Sequence, residues 1–119
     1  MNHLFDTHCH LDDERFDQDR EQVIQALPKE GVERAVLAAS DLASSRRCIL
    51  LAETYPFLYA AAGVHPHEAK DADEGYLESL RALLSHPRVV ALGEIGLDYF
   101  YDLSPRDLQK AVFKQQLDL

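Results

Sequence analysis

Cysteine, long apolar runs and basic residues are all scarce in this sequence of 119 residues, and each scarcity excludes a class of protein. Cys9 and Cys48 are too few for a disulfide framework or a zinc-binding pattern, so we expect both to be buried thiols. No apolar run approaches the roughly 18–20 residues that span a bilayer. The N-terminus carries no basic-then-apolar leader, and we therefore expect a soluble, cytoplasmic protein with no membrane attachment.

Basic side chains are outnumbered by acidic ones. The chain has 12 Lys and Arg residues against 21 Asp and Glu residues, a formal net charge of −9. A protein that binds nucleic acid by charge alone is basic, because its affinity comes from neutralising phosphates. This composition argues against a passive DNA-binding module. A protein of this charge that handles phosphate esters needs bound divalent cations to supply local positive charge.

The apolar residues fall into four short runs, each followed by a segment of helical character. No low-complexity stretch or Gly/Ser-rich linker separates them, so the chain is treated as one unit. The runs predict strands over residues 4–7, 35–39, 57–64 and 89–95. The intervening segments predict helices over about 17–30, 41–55 and 74–85, and from 104 to the end of the sequence.

Several helix ends carry recognisable signals. Pro28 is expected to shorten the last turn of the first helix, and Gly31 to end it. Asp41 is the predicted N-cap of the second helix. Ser104 and Pro105 are the predicted N-cap and first residue of the fourth. That helix is expected to direct three apolar side chains inward: Leu108, Val112 and Phe113.

Strands and helices that alternate in this order predict an α/β fold with parallel strands. Four βα units fit either a small open sheet or half of an eight-stranded TIM barrel, which usually needs about 250 residues. We predict that residues 1–119 form one N-terminal portion of a (β/α)8 barrel domain, and that the chain is truncated. The first and fourth strands would then have exposed edges through which the protein could self-associate.

The first strand contains a pair of histidines that could bind a metal. Side chains alternate along a strand, so Asp6, His8 and His10 are predicted to share one face, with Thr7 and Cys9 on the other. Two imidazoles spaced in this way converge on one divalent cation. The alternative is a pair of ordinary surface or packed histidines. The pair's place at the end of a strand, after a carboxylate, favours the metal site.

Two further segments follow the third and fourth strands. In 63–67, Gly-Val-His-Pro-His, a proline fixes the backbone between His65 and His67, which could face one cavity or lie in a solvent-exposed turn. In 93–98, Gly-Glu-Ile-Gly-Leu-Asp, Glu94 is predicted to face the mouth of the barrel, where a carboxylate needs a partner or a metal. The alternative is a glutamate exposed to water in a turn. The first and fourth strands of a barrel lie on the order of 14 Å apart, close enough for their side chains to share a cation.

Taken together, the segments 6–11 (Asp-Thr-His-Cys-His-Leu), 63–67 and 93–99 (Gly-Glu-Ile-Gly-Leu-Asp-Tyr) resemble the signatures of the TatD-related deoxyribonucleases. These are amidohydrolase-like metal-dependent hydrolases, and the resemblance spans the whole chain in the right order and spacing. It implies a TIM barrel that binds two divalent cations (Mg, Mn or Zn) at the C-terminal ends of its strands. It also implies hydrolysis of phosphodiester bonds in DNA through this two-metal site.

The resemblance also implies roles for individual residues. His8 and His10 match the paired ligands of one metal, and Glu94 matches the carboxylate that bridges both. His65 matches a histidine near the substrate phosphate, which makes it, with Glu94, a candidate catalytic residue. Asp98 matches an acid in the same loop as Glu94 and is a candidate substrate-binding residue. The remaining ligands of such a site come from the second half of a barrel.

Two other functions stay open on the sequence alone. One is a different amidohydrolase-like activity, on amides, lactones or smaller phosphate esters, because such enzymes also use a His-x-His pair on their first strand. The other is a catalytically inactive half barrel that needs a partner or its missing half.

Overall fold

A computed structural model describes residues 3–119 and contains a single parallel sheet of four strands. Their order in the sheet is the order in the chain, and the strands are β1 (Leu4–Cys9), β2 (Val32–Ala38), β3 (Leu58–Ala62) and β4 (Val89–Leu92). Each strand is parallel to its neighbours. The predicted α/β class and parallel strands are confirmed. β4 ends at Leu92, three residues before the predicted end at residue 95, so Glu94 lies in the following loop.

Four α-helices connect or follow the strands: α1 (Arg20–Ala26), α2 (Leu42–Thr54), α3 (Tyr76–Leu84) and α4 (Arg106–Leu117). All four were predicted, with bounds that differ by a few residues. α1 is the most altered, because its predicted last turn is a separate 3-10 turn, Leu27–Glu30, with Pro28 at its start. Gly31 ends this turn with a φ of 94°, a left-handed conformation that favours glycine.

The start of α2 is fixed by a reciprocal pair of hydrogen bonds. The Asp41 carboxylate accepts from the Ser44 backbone N–H at 2.7 Å, and the Ser44 hydroxyl accepts from the Asp41 N–H at 3.0 Å. These bonds satisfy backbone donors that a helix start otherwise leaves free. The predicted Asp41 cap is confirmed, and the helix ends before Pro56 as expected.

The start and face of α4 differ from the prediction. The Ser104 hydroxyl makes no cap bond to the helix; it donates to the His67 carbonyl at 2.8 Å and accepts from the Lys70 N–H at 3.1 Å. Leu108 was expected to face inward but is 39 % exposed. The buried residues of α4 are Gln109, Val112 and Gln116, because this face meets the polar backbone of two loops and not a purely apolar core.

The apolar core lies between the sheet and its helices. Alternate residues of β2 and β3 point towards the helices, and Leu37 and Leu58 are fully buried there with Ile24 of α1. The opposite face is concave and lines an open cavity of about 370 Å³. In a closed barrel this face would be the interior. Strands β1 and β4 are the sheet's two edges, and Phe5 and Val90 on them are more than half exposed.

Across residues 3–119, no helix has both the length and the apolar character that crossing a membrane requires.

Replacing Asp41 by alanine should lower the free energy of unfolding by about 1 kcal/mol, because α2 loses its cap. Urea denaturation measures the change. Asp19→Ala is the matched control, since Asp19 precedes α1 without a side-chain cap bond. Equal losses in the two variants would contradict a specific role for the Asp41 cap.

Candidate metal centre

Three predicted ligands meet at the carboxyl edge of the sheet. His8 lies near the end of β1, and His10 is the first residue after that strand. Glu94 lies two residues beyond the end of β4. The Nε2 atoms of His8 and His10 are 3.2 Å apart, and His8 Nε2 is 3.5 Å from Glu94 Oε1. One ligand atom from each residue lies within 4.8 Å of the other two. The structure therefore brings together residues that follow or belong to the two outermost strands of the sheet, β1 and β4.

This approach depends on the curvature of the sheet. β1 and β4 are separated by β2 and β3, and in a flat sheet three strand spacings would hold them about 14 Å apart. Side chains on a concave face converge, which is how opposite strands of a barrel share a site at its mouth. The contact between His8 and Glu94 is thus a consequence of barrel-like curvature.

The predicted alternation along β1 is wrong at Thr7. Asp6 pairs with Ala35 of β2 and Cys9 pairs with Leu37, so three steps along β1 match two along β2. This is a bulge, and it lets the adjacent residues Thr7 and His8 both line the concave cavity. The Asp6 carboxylate accepts from the His8 backbone N–H at 3.0 Å, which supports the irregular backbone.

Cys9 packs against the core on the helix side of the sheet, and its thiol donates to the Val36 carbonyl. Burial, reinforced by the charge of Asp6, raises the pKa of Cys9 to about 11. Burial also raises the pKa of Cys48, whose side chain is fully enclosed. Both cysteines are free thiols, but the predicted burial is confirmed only for Cys48, since Cys9 is half-buried at the edge strand β1.

The histidine pair is oriented for a cation. The Nδ1 atom of His10 is 3.0 Å from the Ala38 carbonyl oxygen. A carbonyl only accepts, so Nδ1 carries the proton and Nε2 presents its lone pair towards His8. A backbone carbonyl behind a ligating imidazole is the usual arrangement in metal sites, because it fixes the tautomer and the ring.

The distances and donor types fit one divalent ion. Two ligand atoms bound at about 2.1 Å to one cation are roughly 3.0–3.4 Å apart, and the two histidine Nε2 atoms are separated by 3.2 Å. Two imidazole nitrogens with a carboxylate oxygen suit Zn²⁺, Mn²⁺ or Fe²⁺. Glu94 is 28 % exposed and His8 54 %, so the group remains accessible from the mouth.

Glu94 is positioned by its backbone and by a close contact between two glycines. The Glu94 N–H donates to the Ala39 carbonyl at 2.7 Å, and the Gly93 N–H donates to the Ala62 carbonyl at 3.0 Å. A Cβ atom at Gly63 would lie 2.8 Å from the carbonyl carbon and oxygen of Gly93. Only glycine allows these two loops to approach so closely.

His65 lies after β3 and is held by its neighbours. Its backbone N–H donates to the Ser40 carbonyl at 2.8 Å, and its ring Nδ1 accepts from the His67 N–H at 3.0 Å. Burial, and then the nearby His67, lower the pKa of His65, while the charges of Glu94 and Asp98 act in the opposite direction. The neutral ring therefore carries its proton on Nε2.

Asp98 contacts His67, and neither residue belongs to the group formed by the three metal-ligand candidates. The Asp98 carboxylate is hydrogen-bonded to His67 Nε2 and to the Phe100 N–H. The hydrogen bond from His67 holds the pKa of Asp98 below its usual range. The rings of His65 and His67 are 4.2 Å apart, so His67 joins the two predicted residues. The sequence predicted that His67 could face a cavity with His65, but the resemblance implied a role for His65 alone.

These features define one half of a parallel TIM barrel. At its mouth lies a group of side chains whose donor atoms are of the kind that bind metals. Comparison with known families agrees: the family model described as "TatD related DNase" matches residues 5–119. The chain belongs to this family.

Individual relatives give the same result. YabD of Bacillus subtilis, named an uncharacterized metal-dependent hydrolase, is 47 % identical over 116 residues, covering 98 % of this chain and 46 % of YabD. The 3'-5' ssDNA/RNA exonuclease TatD of Musicola paradisiaca is 37 % identical over 115 residues, covering 96 % of this chain and 44 % of that protein. The chain thus spans a little under half the length of these relatives.

Solved structures share the fold. The crystal structure of YjjV, a TatD homologue from Escherichia coli, superimposes with a TM-score of 0.87 at 37 % identity, covering 97 % of this chain and 45 % of YjjV. A TatD-family hydrolase from Entamoeba histolytica gives a TM-score of 0.88 at 25 % identity, covering 97 % of this chain and 44 % of that one. The four βα units correspond to part of these barrels.

Replacing Gly63 by alanine should weaken metal binding about tenfold, because the new methyl group displaces Gly93 and with it Glu94. Titration calorimetry with Mn²⁺ on the intact protein measures the affinity. Gly75→Ala is the control, since a Cβ there has only one ordinary contact, 3.7 Å from the Asp73 side chain. An unchanged affinity in Gly63→Ala would refute this coupling.

His65 should titrate below the ordinary pKa of histidine, and His67→Ala should raise that pKa, because it removes the second cause of the shift. NMR titration of the metal-free protein follows the ring signals, with His3→Ala as a control. If His67→Ala leaves the pKa of His65 unchanged, His67 is not a cause of its shift.

Proposed function

We propose that this chain provides half of the barrel of a metal-dependent nuclease that hydrolyses phosphodiester bonds in DNA. The observation that carries the proposal is the group of His8, His10 and Glu94 on the concave side of the carboxyl edge. Two of the relatives are named a metal-dependent hydrolase and a 3'-5' exonuclease of single-stranded DNA and RNA, and these activities support the reaction class. A site at this edge is also where TIM-barrel enzymes carry out their chemistry.

His8 and His10 would hold one divalent cation, and Glu94 would contribute its carboxylate to that cation and to a second one. Mg²⁺, Mn²⁺ and Zn²⁺ are the candidate ions. A pair of such ions supplies Lewis-acid catalysis and an activated water for attack on a phosphodiester. The chain's net charge of −9 supports a role for cations, since they offset repulsion between the protein and the substrate phosphates.

His65 is suited to bind the phosphate. Because Nδ1 accepts a hydrogen bond from the His67 N–H, the neutral ring presents an N–H at Nε2. This group would donate to a phosphate oxygen and orient the phosphorus for attack. Asp98 would act one step away: it holds His67, which in turn contacts the ring of His65.

The site in this chain is incomplete by itself. The relatives are more than twice as long, and we propose that further ligands come from the remaining strands of the barrel. Those strands would also cover the open edges of β1 and β4, a role that a second copy could fill instead. The free thiols of Cys9 and Cys48 support the expected cytoplasmic location.

Replacing His10 by alanine or Glu94 by glutamine should lower the affinity for Mn²⁺ at least about tenfold, because the first change removes a ligand and the second removes the negative charge of one. Metal-dependent release of nucleotides from single-stranded DNA should fall in parallel. His3→Ala is the control, because His3 lies at the other end of β1 with a side chain 67 % exposed.

Calorimetry and a nuclease assay on the intact protein, with and without chelator, make these measurements. Wild-type metal affinity in both ligand variants would refute the metal site. A protein that binds metal but turns over an amide or lactone and leaves DNA intact would be a different amidohydrolase-like enzyme. A protein that cleaves neither DNA nor an amide or lactone would be an inactive barrel.

A further inference from the structure

Two glutamines on the buried face of α4 form an unusual pair of contacts. Gln109 is 1 % exposed and Gln116 is 0 % exposed. The two glutamines are seven positions apart, which is about two helical turns, so their side chains leave the helix on the same face. A buried amide is costly unless its donors and acceptor are satisfied, and an apolar side chain would fill such a position without that cost.

Gln116 binds both backbone polar groups of Val64. Its Oε1 accepts from the Val64 N–H at 2.8 Å, and its Nε2 donates to the Val64 carbonyl at 3.0 Å. The side-chain amide thereby takes the place that a neighbouring strand would occupy. Val64 directly precedes His65, so this contact fixes the backbone from which the His65 ring projects.

Gln109 makes the same kind of contact with Asp98. Its Oε1 accepts from the Asp98 N–H at 2.8 Å, and its Nε2 donates to the Asp98 carbonyl at 3.1 Å and the Ser104 carbonyl at 2.8 Å. Asp98 in turn holds His67. One face of α4 therefore holds both the loop that carries His65 and the loop that carries Asp98.

We propose that Gln109 and Gln116 are positioning residues that set the placement of His65 against the His67–Asp98 pair. They act on the phosphate-binding side of the site, since neither bonds His8, His10 or Glu94. The part of this inference that concerns turnover rests on the proposed nuclease function. The part that concerns geometry stands without it.

Gln116→Met tests the inference because methionine has a similar length but cannot bind the Val64 backbone. Gln115→Met is the matched control: it is the same substitution on the same helix and also removes a hydrogen bond, the one from the Tyr76 hydroxyl. In the intact protein, amide exchange at Val64 should accelerate about tenfold in Gln116→Met. The NMR signals of the His65 ring should also shift. Gln115→Met should change neither.

Turnover separates positioning from general stabilisation. Gln116→Met should lower kcat/KM on single-stranded DNA about tenfold and leave the affinity for Mn²⁺ within about twofold. In a His65→Ala background the same substitution should have no further effect, because Gln116 acts through His65. Gln109→Met, paired with a His67→Ala background, gives a second test should Gln116→Met fail to fold.

Several results would overturn the inference. One is wild-type amide exchange at Val64 and an unshifted His65 ring in Gln116→Met. Another is an equal loss of kcat/KM with and without His65, since that pattern marks loss of stability alone. A protein without nuclease activity would refute the proposed function, and the exchange and ring signals would still decide whether the glutamines position the loops.

Discussion

The curvature of the parallel sheet is the constraint on which the candidate site depends. His8 and Glu94 belong to opposite edges of the sheet, and only a concave surface brings their side chains within 3.5 Å of each other. Parallel pairing is the second requirement, because it places the carboxyl ends of all four strands on the same side of the sheet. The small residues of β2 and β3 on the concave face, Ala38 and Ala61, leave the mouth between the edges open.

Around this mouth the donor groups form two separate assemblies. The first contains the two imidazoles and the carboxylate that fit a cation. The second joins His65, His67 and Asp98, and it is linked to α4 through the Ser104 hydroxyl and the two buried glutamines. The first assembly is positioned by strand ends and the loop backbone after them, while the second is also held by a helix. The hydrogen bonds of Gln109 and Gln116 reach the loops of the second assembly and none of the three ligand candidates of the first.

The sequence was sufficient for the order of elements and for the residues at the strand ends. Apolar periodicity and caps located all four strands and helices, and the motifs pointed to His8, His10, His65, Glu94 and Asp98. It could not reveal the bulge in β1, since period-two alternation assumes a regular strand. Nor could it reveal that Ser104 and Gln109 serve loop backbones, because local patterns classify serine as a cap and glutamine as a surface residue. Both roles arise from contacts between distant segments.

The direction of the Cys9 side chain has a consequence for the choice of metal. A thiol stands between the two histidines in sequence, yet it turns towards the helices and donates its hydrogen to the Val36 carbonyl. Among residues 3–119, the group of candidate ligands thus offers two nitrogen donors and a carboxylate, and Cys9 is not part of it. Such a donor set discriminates against thiophilic ions such as Cu⁺, which a Cys-containing cluster would retain. The alternation of His8 and Cys9 across the strand thereby acts as a filter on ion chemistry.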